Sequence, residues 1–338
     1  MKAVEYQGNR SFAPAQKDAV SPRADEVQIR VSYVGLCGTD LHVYLGDMDQ
    51  RVGPQAIIGH EMSGEVVAVG ESVSAFAAGD KVTVLPTDFC GECAACRKGY
   101  SNVCYNMNFV GLDSAGALQE LWTVPERLVV ALPRDIDLRS AALIEPLTVA
   151  VHDVRRSNLE EGESALVVGG GPIGILIALV AKAKGANVLL SEPEAGRRAT
   201  AENLGIDTVD PVNGDLAGAV ATFSEEGRGA NVVFEVSGTQ PGIVSAVTSA
   251  AARGRIIEVA IHAADRQINL HSFFWRELEM YGARLYHRED MEEAAQLIYR
   301  KKVDVDQLIT LVRRAEDTTA AFEALSKGDA MKILIQMN

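Results

Sequence analysis

The sequence predicts an α/β chain built of a doubly wound, six-stranded parallel sheet and a second, β-rich part. Three observations carry that prediction. An apolar run, Ala165 to Val168, leads into Gly169, Gly171 and Gly174 and is followed by an acidic residue, Glu192. From about Leu147 onward, strand-like and helix-like stretches alternate, as in a parallel sheet covered on both faces. Ahead of that point, short Val- and Ile-bearing segments are instead separated by Gly, Pro and Asp, the texture of a partly closed antiparallel domain.

In chain order, the β-rich part offers strands at 26–34, 65–69, 81–85 and 128–132. The alternating part opens with a strand at 165–168, a helix over 175–184 and a strand at 188–190. Helix 197–204, a short strand at 208–209, helix 216–226, strand 231–236, helix 243–252 and strand 255–260 follow. A strand near 280–285 completes six, the count of a double mononucleotide-binding sheet. The tail, with helices near 291–300 and 318–325 and a strand at 332–337, no longer keeps the repeat and is expected to return to the first part. No internal repeat, low-complexity tract or disordered linker interrupts the chain.

Each glycine of Gly169-Gly170-Gly171-Pro172-Ile173-Gly174 that fits the pattern has a use in a dinucleotide-binding unit. The first permits the tight turn, the second lets backbone approach a pyrophosphate, and the third lets helix pack on strand. The helix N-terminus, with free N–H groups and a favourable dipole, would receive the negative charge. Glycine turns that bind nothing share the pattern. The context favours a nucleotide, because Glu192 closes the second strand at the distance past Gly174 where a carboxylate meets adenosine ribose hydroxyls.

A chain of 338 residues is long enough for two domains and a sizeable core. Its formal charge of −14 repels phosphate backbones and anionic membranes, so neither nucleic acid nor a membrane surface is an expected partner. No apolar run is long enough to span a bilayer, and the start, Met1 to Tyr6, lacks the apolar core of a signal peptide. A cytoplasmic, reducing location is expected. Of five cysteines, Cys90, Cys93, Cys96 and Cys104 crowd into one short stretch. Four close thiolates suit tetrahedral Zn²⁺ with no open position, hence a structural ion. An iron–sulfur cluster is the chief rival, since spacing alone does not identify the metal.

The fifth cysteine lies in Gly35-Leu36-Cys37-Gly38-Thr39-Asp40-Leu41-His42; Gly59-His60-Glu61 and Ile144-Glu145-Pro146 follow at a distance. A thiolate, an imidazole and a carboxylate from three separated stretches make a three-ligand zinc site with a fourth position open to water or substrate.

Taken together, Gly59-His60-Glu61 with Gly64, the four-cysteine stretch, Glu145-Pro146 and the glycine pattern, in this order, resemble the zinc-dependent medium-chain alcohol dehydrogenases over essentially the whole chain. Leu143 to Leu147 with Ala150-Val151-His152 resembles their polyol branch, the sorbitol and butanediol dehydrogenases. The resemblance implies a GroES-like catalytic domain from 1–146 and 287–338, with a zinc lobe at about 88–106, and a Rossmann coenzyme domain at 147–286. It implies a catalytic zinc on Cys37 and His60, with Glu61 or Glu145 as third protein ligand. It assigns Thr39 to the substrate hydroxyl and His42 to a proton relay through the nicotinamide ribose. Cofactor contacts extend to Pro172, Ile173, Arg197, Val259, Ala260, Ile261 and Arg284, and substrate contacts to Tyr44, Leu285 and Tyr286. A homodimer or homotetramer is implied as well.

The expected reaction moves hydride from a secondary hydroxyl of a polyol or vicinal diol to NAD, with zinc as Lewis acid because it has no redox chemistry. Glu192 favours NAD, since a carboxylate repels the extra phosphate of NADP; Arg197 and Arg198 pull the other way. Sorbitol dehydrogenases have a tyrosine directly after the relay histidine, where this chain has Val43, and an Arg-Tyr pair where it has Leu285-Tyr286. Leu41-His42-Val43-Tyr44 is closer to butanediol dehydrogenases. The alternatives are a threonine 3-dehydrogenase-like or other secondary alcohol dehydrogenase, a zinc-free quinone reductase, and a non-catalytic nucleotide sensor. The zinc residues oppose the last two.

Overall fold

The computed structural model describes residues 1–328 and 330–338. Its contacts divide the chain into two compact units. One is Met1–Glu145 with His287–Lys301 and Leu308–Asn338; the other is Pro146–Tyr286 with Lys302–Gln307.

The second unit holds a six-stranded parallel sheet. Its spatial order is Asp207–Val209, Asn187–Ser191, Ser164–Val168, Ala230–Glu235, Ala250–Glu258, Glu279–Gly282. That is order 3-2-1-4-5-6, the doubly wound arrangement with its switch point beside the first strand. Every residue of Ser164–Val168 is buried, as expected of a central strand covered on both faces. Leu166, Leu189, Val220, Val233, Ala246 and Ile256 meet in one apolar cluster. The helix Pro172–Ala183 starts ahead of its apolar periodicity, because Gly171 is its N-cap and Pro172 begins its first turn, a place where proline loses nothing. The helix at 216 stops at Phe223 rather than running to 226; Glu226 then takes a left-handed φ of 51° inside a short 3₁₀ turn. The sixth strand is Glu279–Gly282, earlier than the expected 280–285, and Leu285 beyond it has φ 52°.

The first unit contains a seven-stranded sheet with the path Ile309–Arg314, Lys332–Gln336, Glu26–Leu36, Glu61–Val69, Lys81–Val84, Val129–Ala131, and with Leu121–Pro125 also on Glu26–Leu36. The tail does return here. All of its pairs are antiparallel except the first, where Ile309–Arg314 runs parallel to Lys332–Gln336. The register sets Ile333 opposite Leu36 and Gly35 opposite Glu61. One end of three adjacent strands thereby gathers Lys332, Cys37 and Glu61.

Candidate metal and cofactor sites

Cys37 follows the long strand Glu26–Leu36 and is the N-cap of helix Gly38–Leu45. Its sulfur accepts the Thr39 amide at 3.2 Å, while its own amide donates to Asp40 Oδ2 at 3.1 Å, a reciprocal capping box that holds the side chain in place. Cys37 Sγ lies 3.3 Å from His60 Nε2. Ligand atoms of Cys37, His60 and Glu61 all fall within 4.8 Å of one another. His60 and Glu61 are 4% and 2% exposed, while Cys37 is half-buried, so the set is largely enclosed with its sulfur partly open.

Charge around this set is strongly negative. Burial pushes the Cys37 thiol above its usual range, and the Asp40 charge adds to the shift. Burial alone would lower His60, yet Cys37 and Asp40, with a further contribution from Glu145, hold it well above the ordinary histidine value. A proton is thus retained where a cation would neutralise the group. Two buried atoms, His60 Nδ1 and Asp40 Oδ1, face each other at 3.6 Å without a hydrogen bond. This is the outer-shell pairing that turns the other ring nitrogen toward a metal. Donor types, burial and these orphaned atoms all fit zinc.

Two members of the site have no motif in the sequence. Asp40 is fully buried and could have been found from its capping-box position three residues after Cys37. Lys332 places its ammonium 2.7 and 2.8 Å from the Glu61 oxygens and 3.2 Å from the Leu36 carbonyl. Burial tends to lower its pKa, but the Glu61 and Cys37 charges outweigh that and raise it. A charged residue opening an apolar strand was the available signal. Gly35 is needed beside them, since a Cβ there would lie 2.2 Å from Glu61 Oε2.

Thr39 is half-buried on the same helix turn. His42 is exposed and its Nδ1 lies 2.8 Å from Asp47 Oδ2. Tyr44 turns into the core, its ring stacked on Phe12 at 6.5 Å and Phe322 at 5.3 Å. Glu145, 5% exposed, sits in the first turn of helix Ile144–Arg156.

The four remaining cysteines come together. Sulfur separations are 3.4 Å for Cys93–Cys96, 3.5 Å for Cys90–Cys104 and 3.9 Å for Cys93–Cys104, too long for disulfides. Backbone amides of Cys90, Cys93, Cys96 and Asn106 point at the sulfurs from 3.3 to 3.5 Å. The amides of Cys96 and Tyr105 bring Cys93 down to about 6, whereas burial and the neighbouring thiols lift Cys96 to about 12. Backbone amides lower Cys90 as well, so thiolate character builds up in a cluster that a tetrahedral cation would neutralise.

In the second unit, Gly169 takes φ +111° at the end of its strand. A Cβ on Gly174 would lie 1.9 Å from the Gly169 carbonyl oxygen, so helix and turn touch only because it has none. A Cβ on Gly171 would meet nothing within 4 Å, leaving open space at the helix start for a phosphate group. Pro172 and Ile173 line the first turn, half-buried. Glu192 is 3% exposed; one oxygen accepts the Gly170 amide at 2.6 Å and the other the Glu194 amide at 2.8 Å. Arg198 donates to the Glu192 carbonyl at 2.8 Å and pairs with Asp210 at 3.2 Å, while Arg197 is exposed. Val259 and Ala260 are half-buried and Ile261 is exposed. Arg284 is exposed, Leu285 half-buried and Tyr286 buried.

Comparison with known proteins fits this geometry. Residues 23–134 match the alcohol dehydrogenase GroES-like domain, and residues 172–300 match the zinc-binding dehydrogenase domain. A 2-dehydro-3-deoxy-L-galactonate 5-dehydrogenase from Pseudoalteromonas atlantica is 47% identical, with 100% of this chain and 99% of that one covered. A sorbitol dehydrogenase from Halalkalibacterium halodurans is 32% identical, with 99% of both chains covered. The crystal structure of 2R,3R-butanediol dehydrogenase from Bacillus subtilis superposes with a TM-score of 0.91 at 31% identity, covering 100% of this chain and 99% of its own. The resemblance read from the motifs and the two-part GroES-like and Rossmann fold are therefore both borne out: this chain belongs to the zinc-dependent medium-chain alcohol and polyol dehydrogenases.

Proposed function

We propose that the chain oxidises a secondary hydroxyl of a polyhydroxylated substrate, a sugar acid or polyol, with NAD as hydride acceptor and two zinc ions per chain. The observation that carries this reading is the donor set of half-buried Cys37 with buried His60 and Glu61. A nucleotide sensor would have no use for it. When bound, catalytic zinc supplies Lewis acidity toward the substrate oxygen and NAD supplies the hydride acceptor.

The chain's own residues do the rest. Asp40 orients His60, and Lys332 steadies Glu61 without exhausting the acceptor capacity of its carboxylate. Glu61 is the carboxylate whose oxygen groups with the Cys37 and His60 ligand atoms within 4.8 Å, and it is read as third ligand; Glu145 then adds negative charge and an acceptor for the substrate or water hydroxyl. The Thr39 hydroxyl accepts the substrate's proton while releasing its own toward His42. His42, exposed beside Asp47, delivers it to water. Cys90, Cys93, Cys96 and Cys104 hold the structural ion.

NAD is favoured over NADP because Glu192 stands ready for ribose hydroxyls and Arg198 is already committed to backbone carbonyls and Asp210. Arg197 then lies by the adenine, and Val259 to Ile261 with Arg284 toward the nicotinamide side. Among substrates, the 47% relative named for a deoxygalactonate outweighs sorbitol, whose dehydrogenases carry an arginine where this chain has Leu285. A second copy of the chain is the expected partner: strand Glu279–Gly282 closes one sheet edge, and Phe274 and Trp275 in the preceding helix are 78% and 74% exposed. Its five free thiols suit the cytoplasm.

The test is zinc analysis together with NADH absorbance over a panel of sugar acids, alditols, short diols and threonine. Two zinc per chain and turnover of sugar acids or polyols are expected. Cys37→Ser should keep one zinc and the fold while losing activity; activity that survived would remove Cys37 from the site.

A further inference from the structure

Glu235 and Glu258 stand in register at the carboxyl ends of adjacent parallel strands. Glu235 is fully buried, accepting the Ser237 amide at 3.1 Å and the Gly238 amide at 3.2 Å. His262 closes the group, with Nε2 at 2.8 Å from Glu258 Oε1 and 3.6 Å from Glu235 Oε2. The three ligand atoms lie within 4.8 Å, compact enough for a cation.

One hydrogen bond argues against a metal. Arg266 Nε donates to His262 Nδ1 at 3.1 Å. Arginine only donates, so Nδ1 must present its lone pair and the ring proton must sit on Nε2. Nε2 therefore donates to Glu258 and has no electron pair left for an ion. Glu258 Oε2 is buried without a hydrogen-bond partner, and burial with the Glu235 charge raises Glu258 above the ordinary carboxylate range. A proton on that oxygen, turned to Glu235, would satisfy both carboxyl groups.

The network joins two segments of backbone. Arg266 also donates to the Gly238 carbonyl at 2.8 Å, and the Gln240 amide exchanges two hydrogen bonds of 2.8 Å with the backbone of Gln267. Amides of Val259 and Ala260 donate to the Glu235 carbonyl at 3.0 and 3.2 Å. A Cβ on Gly238 would lie 3.5 Å from the Ala260 Cβ. The loop gains little from apolar burial, since Ile261 is 95% exposed. Polar contacts hold it, and a satisfied buried network of this kind rigidifies what it joins.

We propose that His262, braced by Arg266 and Glu258, is a positioning residue whose latch sets the backbone of Val259, Ala260 and Ile261 before the dinucleotide arrives. It rests on reading those three residues as the cofactor's nicotinamide-side contacts. Preordering the loop spares the ordering cost at binding, so the latch acts on cofactor affinity rather than on the chemical step.

The experiment compares zinc-loaded wild type, His262→Ala and His262→Gln; the glutamine amide can donate to Glu258 and accept from Arg266 at once. In the alanine variant, amide hydrogen exchange over 259–268 without cofactor should quicken about tenfold. The dissociation constant for NADH should rise by about the same factor, with kcat at saturating NAD and zinc content held within about twofold. His262→Gln should recover most of both losses. Unchanged exchange in His262→Ala would overturn the latch. Faster exchange with unchanged NADH affinity would overturn its role in receiving the cofactor. A third bound metal per chain that disappears in His262→Ala would overturn the tautomer argument. Wild type that binds no NADH would sink the cofactor reading and the positioning role with it, while the exchange rates would still judge the latch.

Discussion

Lys332 brings its ammonium to both oxygens of Glu61 in a place where its side chain is only 4% exposed. Such a pair adds little net stability, because removing two charges from water offsets their attraction, but breaking it leaves a charge buried alone. Lys332→Met should therefore destabilise the zinc-free chain by about 3–5 kcal/mol in denaturant unfolding. The double variant with Glu61→Gln should regain most of that loss; two effects that simply added would show that the pair is not coupled. Cys37 and His60 were legible because each sits in a short glycine-flanked motif of metal-ligand type. Lys332 was not, because its partner is 271 residues away and only the sheet register brings them together.

Helix Pro172–Ala183 and its glycine turn separate two demands that the pattern alone merges. Gly174→Ala would press a methyl group on the Gly169 carbonyl oxygen and is expected to cost about 1–3 kcal/mol, read as a lower melting temperature. Gly171→Ala meets no protein atom, so its melting temperature should stay near wild type while NADH affinity falls. If Gly171→Ala bound NADH normally, the open space would not be the phosphate site. Strands and helices of this unit were readable from alternation because a doubly covered sheet demands apolar runs. Their ends were less so: the helix start depends on a proline that carries no periodicity, and the sixth strand ends where Ala283 donates to the Glu258 carbonyl.

At the scale of the whole chain, the first unit is assembled from three separated segments. The break in the alternating repeat foretold that the tail would return, yet not which strand it would join. Strand Lys332–Gln336 lies between Ile309–Arg314 and Glu26–Leu36, inside the sheet rather than at its edge. A chain ending at Met331 should retain the four-cysteine zinc, lose the second zinc and the activity, and melt at a lower temperature; two zinc in that variant would show the last strand to be dispensable. The contrast with the four-cysteine stretch is one of timing. Cys90 to Cys104 can close around an ion soon after that short stretch leaves the ribosome. The pocket of Cys37, His60 and Glu61 must wait for Lys332, so on the proposed two-zinc reading a nascent chain would take up its structural ion well before it could be an enzyme.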